Sequence, residues 1–175
     1  MKTATLFTLF TFVFLALTSC QEKQSHENHK TMSNPTISKQ DAIKLVKPFY
    51  DFLGGNSTAE AVKPSYHADW QSYYSNTGSR NMDETLGFVS GPLAQMVPDL
   101  NWEIKEVYVT PENEIIVRGE ATGTPAGDNF MGTPIPGGNS FTFMSIDIHE
   151  LEGGRIKRTY HVEDWLNAIQ QVAGN

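Results

Sequence analysis

The residue whose setting most suggests chemistry is Asp164, near the end of the chain. It ends a strand-like alternation in which Ile156, Arg158, Tyr160 and Val162 share one side, and it precedes helix-like spacing. A carboxylate on the side that carries aliphatic and aromatic residues could point into an apolar cavity. Burial there would raise its pKa and suit it to proton transfer. Asp is also a favoured helix N-cap, so spacing alone leaves both roles open.

Two histidines lie in this region of predicted strands. By strict alternation His161 faces away from Asp164, and it joins a site there only where a bulge twists the strand end. His149 is predicted at a surface position of the preceding strand, with a pocket position as the alternative. Among the clustered aromatic residues earlier in the chain, Trp70 and Tyr73 either line a pocket or belong to the core.

The elements that position these residues are helices first and long strands afterwards. Apolar residues at a 3.6-residue period predict a helix from Ser38 to Leu53, in which Pro48 should introduce a kink or a break. A short strand over 70–74 and a helix over 82–96 follow. Four long strands from Leu100 onward then predict an antiparallel meander, closed by a helix. This order indicates an α+β fold whose curved sheet wraps over the helices and leaves a cavity at its concave face.

The first 19 residues have the features of a secretory signal. The apolar stretch 4–17 follows Lys2 and is shorter than the roughly 20 residues of a membrane span. Leu17-Thr18-Ser19-Cys20 resembles a bacterial lipobox, which predicts cleavage before Cys20 and its lipidation. Residues 20–36 are predicted to be a disordered tether and 37–175 the folded domain. We therefore expect a protein lipid-anchored in the bacterial cell envelope, on the periplasmic or surface side.

Charge and composition argue against a nucleic-acid partner, an internal disulfide and a metal site. The formal net charge is −7, and no basic stripe exists to neutralise the phosphates of a nucleic acid. Cys20 is the single cysteine of the chain, so an internal disulfide is impossible. His26 and His29 lie in the tether without a third ligand, and no metal site is predicted.

Several segments in the second half of the chain carry a family resemblance. They read Gly-Thr-Pro-Ala-Gly over 123–127, Phe-Met-Gly-Thr-Pro-Ile-Pro-Gly over 130–137, Phe-Thr-Phe-Met-Ser-Ile-Asp-Ile over 141–148, Gly-Gly-Arg-Ile over 153–156, Tyr-x-x-x-Asp over 160–164 and Gln-Gln at 170–171. Together they resemble the SnoaL-like polyketide cyclase (ester cyclase) family. The resemblance extends over most of residues 38–172.

The resemblance implies a nuclear transport factor 2-like cone fold, which agrees with the α+β layout. In this family an aspartate deprotonates a carbon next to a carbonyl, and the enolate closes a ring by intramolecular aldol attack. No metal or organic cofactor takes part. The motif match gives the role of base to Asp164. The family's Gly-Thr-His is here Gly123-Thr124-Pro125, and Tyr73 replaces a histidine common in the early strand. The predicted substrate pocket consists of Tyr160, Trp70, Tyr73, Phe143, Phe130, Arg118 and His161.

Two other functions stay open. An epoxide hydrolase-like enzyme uses two carboxylates and an arginine to activate water, and Arg118, Glu120 and Asp164 could form such a set. A non-catalytic lipoprotein of the same fold would bind a small ligand in the pocket. The enzyme hypotheses need Asp164 in an enclosed pocket, and the epoxide hypothesis also needs Arg118 within hydrogen-bonding distance of it. Cone-fold proteins commonly dimerise through the outer sheet face, so the resemblance allows a homodimer.

Overall fold

A computed structural model describes residues 37–174. The predicted signal segment 1–19, the predicted lipidation site Cys20 and the rest of the tether 20–36 lie outside the described residues. Within 37–174, no helix combines the length and the apolar character needed to cross a membrane.

The first helix, α1 (Lys39–Leu53), begins at a side-chain cap and ends at a glycine. The Ser38 hydroxyl accepts a hydrogen bond from the Asp41 backbone N–H at 3.1 Å, and Gly54 is the C-cap. The prediction that Pro48 divides or kinks this segment is wrong in one respect, because the helix runs through it without a break. Proline leaves the carbonyl one turn earlier, at Lys44, without its helical donor. Lys44 is exposed, so water can supply that bond.

The second helical region is interrupted where the sequence predicted one continuous helix over 82–96. It consists of α3 (Met82–Phe88), a π-helical segment (Val89–Leu93) and α4 (Ala94–Met96). The short helix α2 (Ala59–Val62) precedes it in the chain. The π-helical segment contains Gly91-Pro92. Proline has no N–H and its ring crowds the preceding turn, so the wider turn accommodates it.

The predicted four-stranded meander is confirmed, and the main sheet contains two further strands. The strands are β1 (Tyr66–Tyr73), β2 (Ser79–Asn81), β3 (Asn101–Val109), β4 (Ile115–Gly123), β5 (Asn129–Phe130), β6 (Thr133–Pro134), β7 (Phe141–Glu152) and β8 (Arg155–Glu163). Six of them lie in the order β2-β1-β8-β7-β4-β3, and the pairs β3–β4, β4–β7 and β7–β8 are antiparallel. β1 pairs with β8 in parallel, and β5 and β6 form a separate small pair within the loop between β4 and β7.

The core lies between the helices and the concave face of the curved sheet. In β4 the residues Ile115, Val117 and Ala121 point into it and are fully buried. Phe49 of α1 meets Trp70 of β1 edge-on, with ring centroids 5.6 Å apart. A second aromatic cluster lies under the C-terminal helix α5 (Trp165–Ala173); its members are Phe130, Phe141, Phe143 and Trp165. The two clusters hold the helices on the same face of the sheet.

Gly119 of β4 is required by the close approach of Trp102. The Trp102 indole N–H donates to the Ser145 hydroxyl at 3.1 Å across Gly119. A Cβ at position 119 would lie 2.5 Å from Ser145 Oγ and 2.8 Å from Trp102 Nε1. Both contacts are shorter than atoms allow, so any side chain there must displace the indole.

We predict that Gly119→Ala lowers the free energy of unfolding by about 1–3 kcal/mol, because it overpacks a filled core. Gly87→Ala is the matched control, since Gly87 lies in exposed helix and a Cβ there meets no atom within 4 Å. That control should gain up to about 1 kcal/mol from helix propensity. Urea denaturation measures both. Equal effects of the two substitutions would contradict the packing described at Trp102.

Candidate functional site

A cavity of about 330 Å³ lies between the helices and the sheet. This volume is near the lower end of the range of about 300–1,000 Å³ for small-molecule sites. Its polar residues include Arg80, Asp147, Thr159, His161 and Glu163. Its apolar walls are formed by Phe49, Leu53, Phe88, Val89, Leu93, Met96, Trp102, Met131 and Trp165. A few polar groups converge in an otherwise apolar space, as in a small-molecule binding site.

The register between β7 and β8 places two acidic residues and a histidine on the cavity side. Asp147 pairs directly with His161, and Ser145 pairs directly with Glu163. Directly opposed residues of antiparallel strands project from the same face of a sheet. Asp147 and Ser145 are buried, at 6% and 0% exposure, so His161 and Glu163 also face inward. No bulge at the strand end is needed to bring His161 into the site.

The even-numbered residues of β8 face outward, which reverses the predicted orientation. Tyr160 and Val162 are 38% and 73% exposed. Ile156 is nevertheless fully buried, because a register shift opposite it, between Glu150 and Leu151, changes the alternation. The alternation counted from Ile156 therefore does not continue along the strand. This is the physical reason why the predicted pocket face of β8 is wrong.

Asp147, His161 and Glu163 form a compact cluster in the cavity. The ligand atoms of the three residues lie within 4.8 Å of one another. His161 Nδ1 and Glu163 Oε1 are 2.5 Å apart, and the Ser145 hydroxyl donates to Asp147 Oδ2 at 3.4 Å. The arrangement pairs an imidazole with one carboxylate and leaves the second carboxylate beside it.

A chain of buried hydrogen bonds lies beside Asp147. Trp70 Nε1–H donates to Thr159 Oγ1 at 3.0 Å, and Thr159 Oγ1 lies 3.0 Å from His149 Nδ1. His149 Nε2 lies 3.2 Å from the Tyr50 hydroxyl. Each of these buried groups therefore has a hydrogen-bond partner within the chain. Tyr50, at its end, lies near Asp147, whose charge adds to burial in raising the pKa of Tyr50.

Burial sets the protonation of this network. Burial, reinforced by the negative charge of Glu163, raises the pKa of Asp147 to about 7. Burial and the nearby His161 lower the pKa of His149 to about 3, so His149 is neutral. Burial also opposes the charged form of His161, but the hydrogen bond and charge of Glu163 outweigh it and raise the pKa of His161. The cavity thus holds a histidine whose charged form Glu163 favours, beside a carboxyl group whose pKa lies near neutral pH.

The same three residues are the group within residues 37–174 that could bind a metal ion together. His161 and Glu163 already bind each other, and Asp147 accepts from Ser145. A metal would have to displace the bond between His161 and Glu163.

Asp164 does not lie in this cavity, and its predicted position in an enclosed pocket is wrong. It is exposed, and its Oδ1 accepts a hydrogen bond from the Asn167 backbone N–H at 3.1 Å at the start of α5. It is therefore the helix cap that spacing alone also allowed. Asp164 follows Tyr160 and Val162 on the outward side of β8, and the backbone turns there from strand to helix.

Three other predicted pocket residues lie on the outer face of the sheet. Tyr73 and Tyr160 stack on each other with ring centroids 4.9 Å apart. Arg118 is half-exposed and pairs with Glu106 at 3.2 Å. Arg118 and Asp164 each have another partner, which contradicts the geometry required by the epoxide hydrolase hypothesis. Exposed Ile146 and Val162 flank the tyrosine pair, and the homodimer through this face stays a prediction.

The remaining predicted pocket residues are divided between core and cavity. Trp70, Phe130 and Phe143 are buried in the core and do not line the cavity. Phe143 supports the cavity from behind, because it packs edge-on against Trp102 at 5.5 Å. His161 is the predicted pocket residue that lines the cavity. His149 is fully buried instead of lying at the surface.

Asp147, Glu163 and Arg80 line the cavity but were not among the predicted site residues. A signal for Asp147 was present, because it shares the odd-numbered face of β7 with Phe141 and Phe143. The even-numbered face carries aliphatic residues as well, so alternation did not decide which face is buried. The pairing of β7 with both neighbours decides it.

Solved structures of other proteins define the class of this fold. A candidate SnoaL-like polyketide cyclase from Jannaschia sp. CCS1 is 16% identical, with a TM-score of 0.65 over 81% of this chain and 98% of its own. IdmH from Streptomyces antibioticus, a candidate polyketide cyclase, is 19% identical, with a TM-score of 0.62 over 74% and 96% of the two chains. An NTF2-like protein of unknown function from Burkholderia pseudomallei is 16% identical, with a TM-score of 0.59 over 78% and 98%. These likenesses confirm the predicted α+β, nuclear transport factor 2-like fold.

The family follows from the sequence itself. The family model of SnoaL-like polyketide cyclases matches residues 46–172. The chain therefore belongs to the SnoaL-like polyketide cyclase family, as its motifs predicted. No curated protein matches the chain.

We predict that Asp147→Asn raises the melting temperature by roughly 5 °C at pH 8. In the unfolded chain Asp147 loses its proton near its ordinary pKa of 3.8, whereas the folded protein holds it up to about 7. Stability therefore falls as pH rises through this window, and the full cost remains above it. Asparagine has no such cost, so the gain should be smaller at pH 5.

The control for this prediction is Asp164→Asn. Asp164 is exposed, and asparagine is also a favoured N-cap, so its melting temperature should change little at either pH. Differential scanning calorimetry at pH 5 and pH 8 measures both variants. A loss of stability in Asp147→Asn that is equal at the two pH values would contradict an ionised, buried Asp147.

Proposed function

We propose that this protein catalyses cofactor-independent acid–base chemistry on a small carbonyl compound, with Asp147 as the base. The proposed reaction type is that of the SnoaL-like family, but the base is Asp147 instead of Asp164. The observation that carries it is a buried carboxylate beside the His161–Glu163 pair in an apolar cavity. A desolvated base with a pKa near 7 suits proton transfer at neutral pH.

In the proposed reaction, ionised Asp147 removes a proton from the carbon next to the substrate carbonyl. The C–H electron pair forms the enolate C=C bond, and the carbonyl π electrons move to oxygen. The enolate carbon then attacks a second carbonyl of the same molecule, and the alkoxide takes the proton back from Asp147. Reprotonation at a different carbon would give an isomerisation instead.

His161 is the proposed donor to the enolate oxygen. Its Nδ1 is bound to Glu163, so in the charged form, which Glu163 favours, Nε2–H is the donor for a ligand. One carboxylate oxygen of Asp147 and one ring nitrogen of His161 lie within 4.8 Å of each other, so the two side chains are close enough to act on one carbonyl and its adjacent carbon. A fixed donor in a water-poor cavity stabilises the charge that develops on oxygen. Glu163 acts as a positioning residue, since it orients the imidazole and favours its charged form.

A buried hydrogen bond orients Asp147. The Ser145 hydroxyl donates to Asp147 Oδ2, and Trp102 Nε1–H donates to the Ser145 hydroxyl. A base that is already oriented requires no reorganisation when the substrate arrives. The apolar walls, including Phe49 and Trp165, limit the water around the enolate, so the enolate is reprotonated through Asp147, which exchanges its proton with solvent.

The test is exchange of the α-carbon protons of 2-tetralone for deuterium, followed by NMR in D2O. The wild-type protein should accelerate the exchange, and the rate should rise as pH passes through about 7, where Asp147 ionises. Asp147→Asn should lose about 100-fold or more, the usual contribution of a general base. Asp164→Asn, the matched control, should keep the wild-type rate within about 3-fold. Full exchange by Asp147→Asn would refute this assignment of the base. An equal loss in both variants would refute the assignment of the base to Asp147 in preference to Asp164.

We also propose that the mature protein is attached to the bacterial cell envelope by a lipid on Cys20, with residues 21–36 as a tether. The support is the sequence Leu17-Thr18-Ser19-Cys20 at the end of an apolar stretch. A single acyl chain gives only marginal membrane binding, and stable anchoring needs more than one.

Cys20→Ser should abolish incorporation of labelled palmitate and move the protein from the membrane fraction to the soluble fraction. Ser25→Ala, a substitution within the tether, should change neither property. Membrane fractionation and acyl labelling of cells that express the full chain measure the outcome. A Cys20→Ser protein that still sediments with membranes would count against the lipid anchor.

A further inference from the structure

Arg80 is a cavity residue that the acid–base mechanism does not use. It lies on the edge strand β2, where it pairs with Ser72 of β1, and it contributes to the cavity lining. Its guanidinium carbon lies 4.5 Å from the ring centroid of Tyr74 and 4.4 Å from that of Phe88. Two aromatic rings thus hold a cation in place at the side of the cavity.

The guanidinium of Arg80 has no ionic partner in the described part of the chain. Arg118 and Arg158 form salt bridges with Glu106 and Glu150 on the sheet. Arg80 forms neither a salt bridge nor a side-chain hydrogen bond with any residue of 37–174; its contacts are the two rings. A contact with the face of an aromatic ring does not use up the N–H donors of a guanidinium, which are the groups that recognise oxyanions.

Arg80 and the base lie on strands that are not neighbours in the sheet. β2 and β7 are separated by β1 and β8, which corresponds to about 14 Å between their backbones at about 4.8 Å per strand. Both side chains nevertheless reach the same cavity. A ligand that contacts both would present an anionic group to Arg80 and its reacting carbon to Asp147.

We propose that Arg80 binds a carboxylate of the substrate, so that the substrate is a keto acid with an apolar, planar body. This inference rests on the proposed use of the cavity as the reaction site. The carboxylate is repelled by Asp147 and Glu163 and attracted by Arg80. His161 is already paired with Glu163, so Arg80 is the favoured position for the carboxylate. That orientation presents the other end of the molecule, with its carbonyl, to Asp147 and His161. Arg80 is in this sense a specificity-determining residue.

The aromatic surroundings support a planar body between the two polar ends. Phe49, Phe88, Trp102 and Trp165 all line the cavity, and flat rings pack well against such walls. A neutral substrate would leave the guanidinium without an anion in a partly desolvated place. The alternative role for Arg80 is structural, in which it only fastens β2 to α3 through Phe88.

The test uses 2-naphthoate and its neutral isostere 2-naphthamide as ligands in isothermal titration calorimetry. The wild-type protein should bind 2-naphthoate about 10–100-fold more tightly than 2-naphthamide, the range expected for a charge-assisted bidentate contact. Arg80→Gln should remove this preference and leave the affinity for 2-naphthamide unchanged. Arg80→Lys, which keeps the charge without the planar fork, should give an intermediate preference. Arg118→Gln, an arginine outside the cavity, should match the wild type.

The outcomes separate recognition from structure and from catalysis. Equal affinity of the wild type for the two ligands would overturn the proposal, and so would an equal loss of both ligands in Arg80→Gln. Asp147→Asn should still prefer 2-naphthoate, because binding does not require the base. A persistent preference together with no exchange of 2-tetralone would refute the proposed reaction and leave the role of Arg80 intact. Normal exchange of 2-tetralone without a preference for 2-naphthoate would refute the role of Arg80 and leave the proposed reaction intact.

Discussion

The arrangement of this molecule depends on one costly feature, a carboxylate kept out of water inside an apolar cavity. Asp147 is 6% exposed, and its nearest charged neighbours are His161 and the like-charged Glu163. A charged group in such a place loses hydration that nearby hydrogen bonds replace only in part. The rest of the cavity can be understood as the means of keeping this group in position. The same desolvation that disfavours its charged form makes it a base that can act at neutral pH.

The polar residues around Asp147 are arranged so that few of them need to ionise. Tyr50, His149 and Thr159 form a chain of neutral groups whose donors and acceptors match. The charges are confined to the cavity side, where Asp147 and Glu163 are balanced by His161 and Arg80. This division gives the site a rigid neutral support and a compact charged surface. In the proposed binding mode, an anionic ligand pairs with Arg80, which has no salt-bridge partner among residues 37–174.

The fold was more predictable than the site, for a physical reason. The meander, the closing helix and the α+β layout depend on hydrophobic periodicity and turn residues, which are local properties of the sequence. The family motifs gave the same fold independently, and the match over 46–172 confirms it. The site depended on which face of β8 is inside. Alternation defines two faces without saying which is buried, and here Tyr160 and Val162 place apolar surface on the outside.

What the sequence by itself determined is the family, the fold class and the presence of an aspartate at the start of the last helix. The sequence left two roles open for Asp164, a pocket carboxylate and a helix N-cap. Asp164 is the N-cap, the role that the local preference for Asp at helix starts describes. Only the tertiary structure decided that Asp147, His161 and Glu163 meet. The register shift opposite Ile156 reverses the alternation of β8, and the pairing with β7 then turns His161 and Glu163 inward. Arg80 joins them from a strand distant in sequence from β7, a proximity that no local spacing can encode because strand order alone creates it.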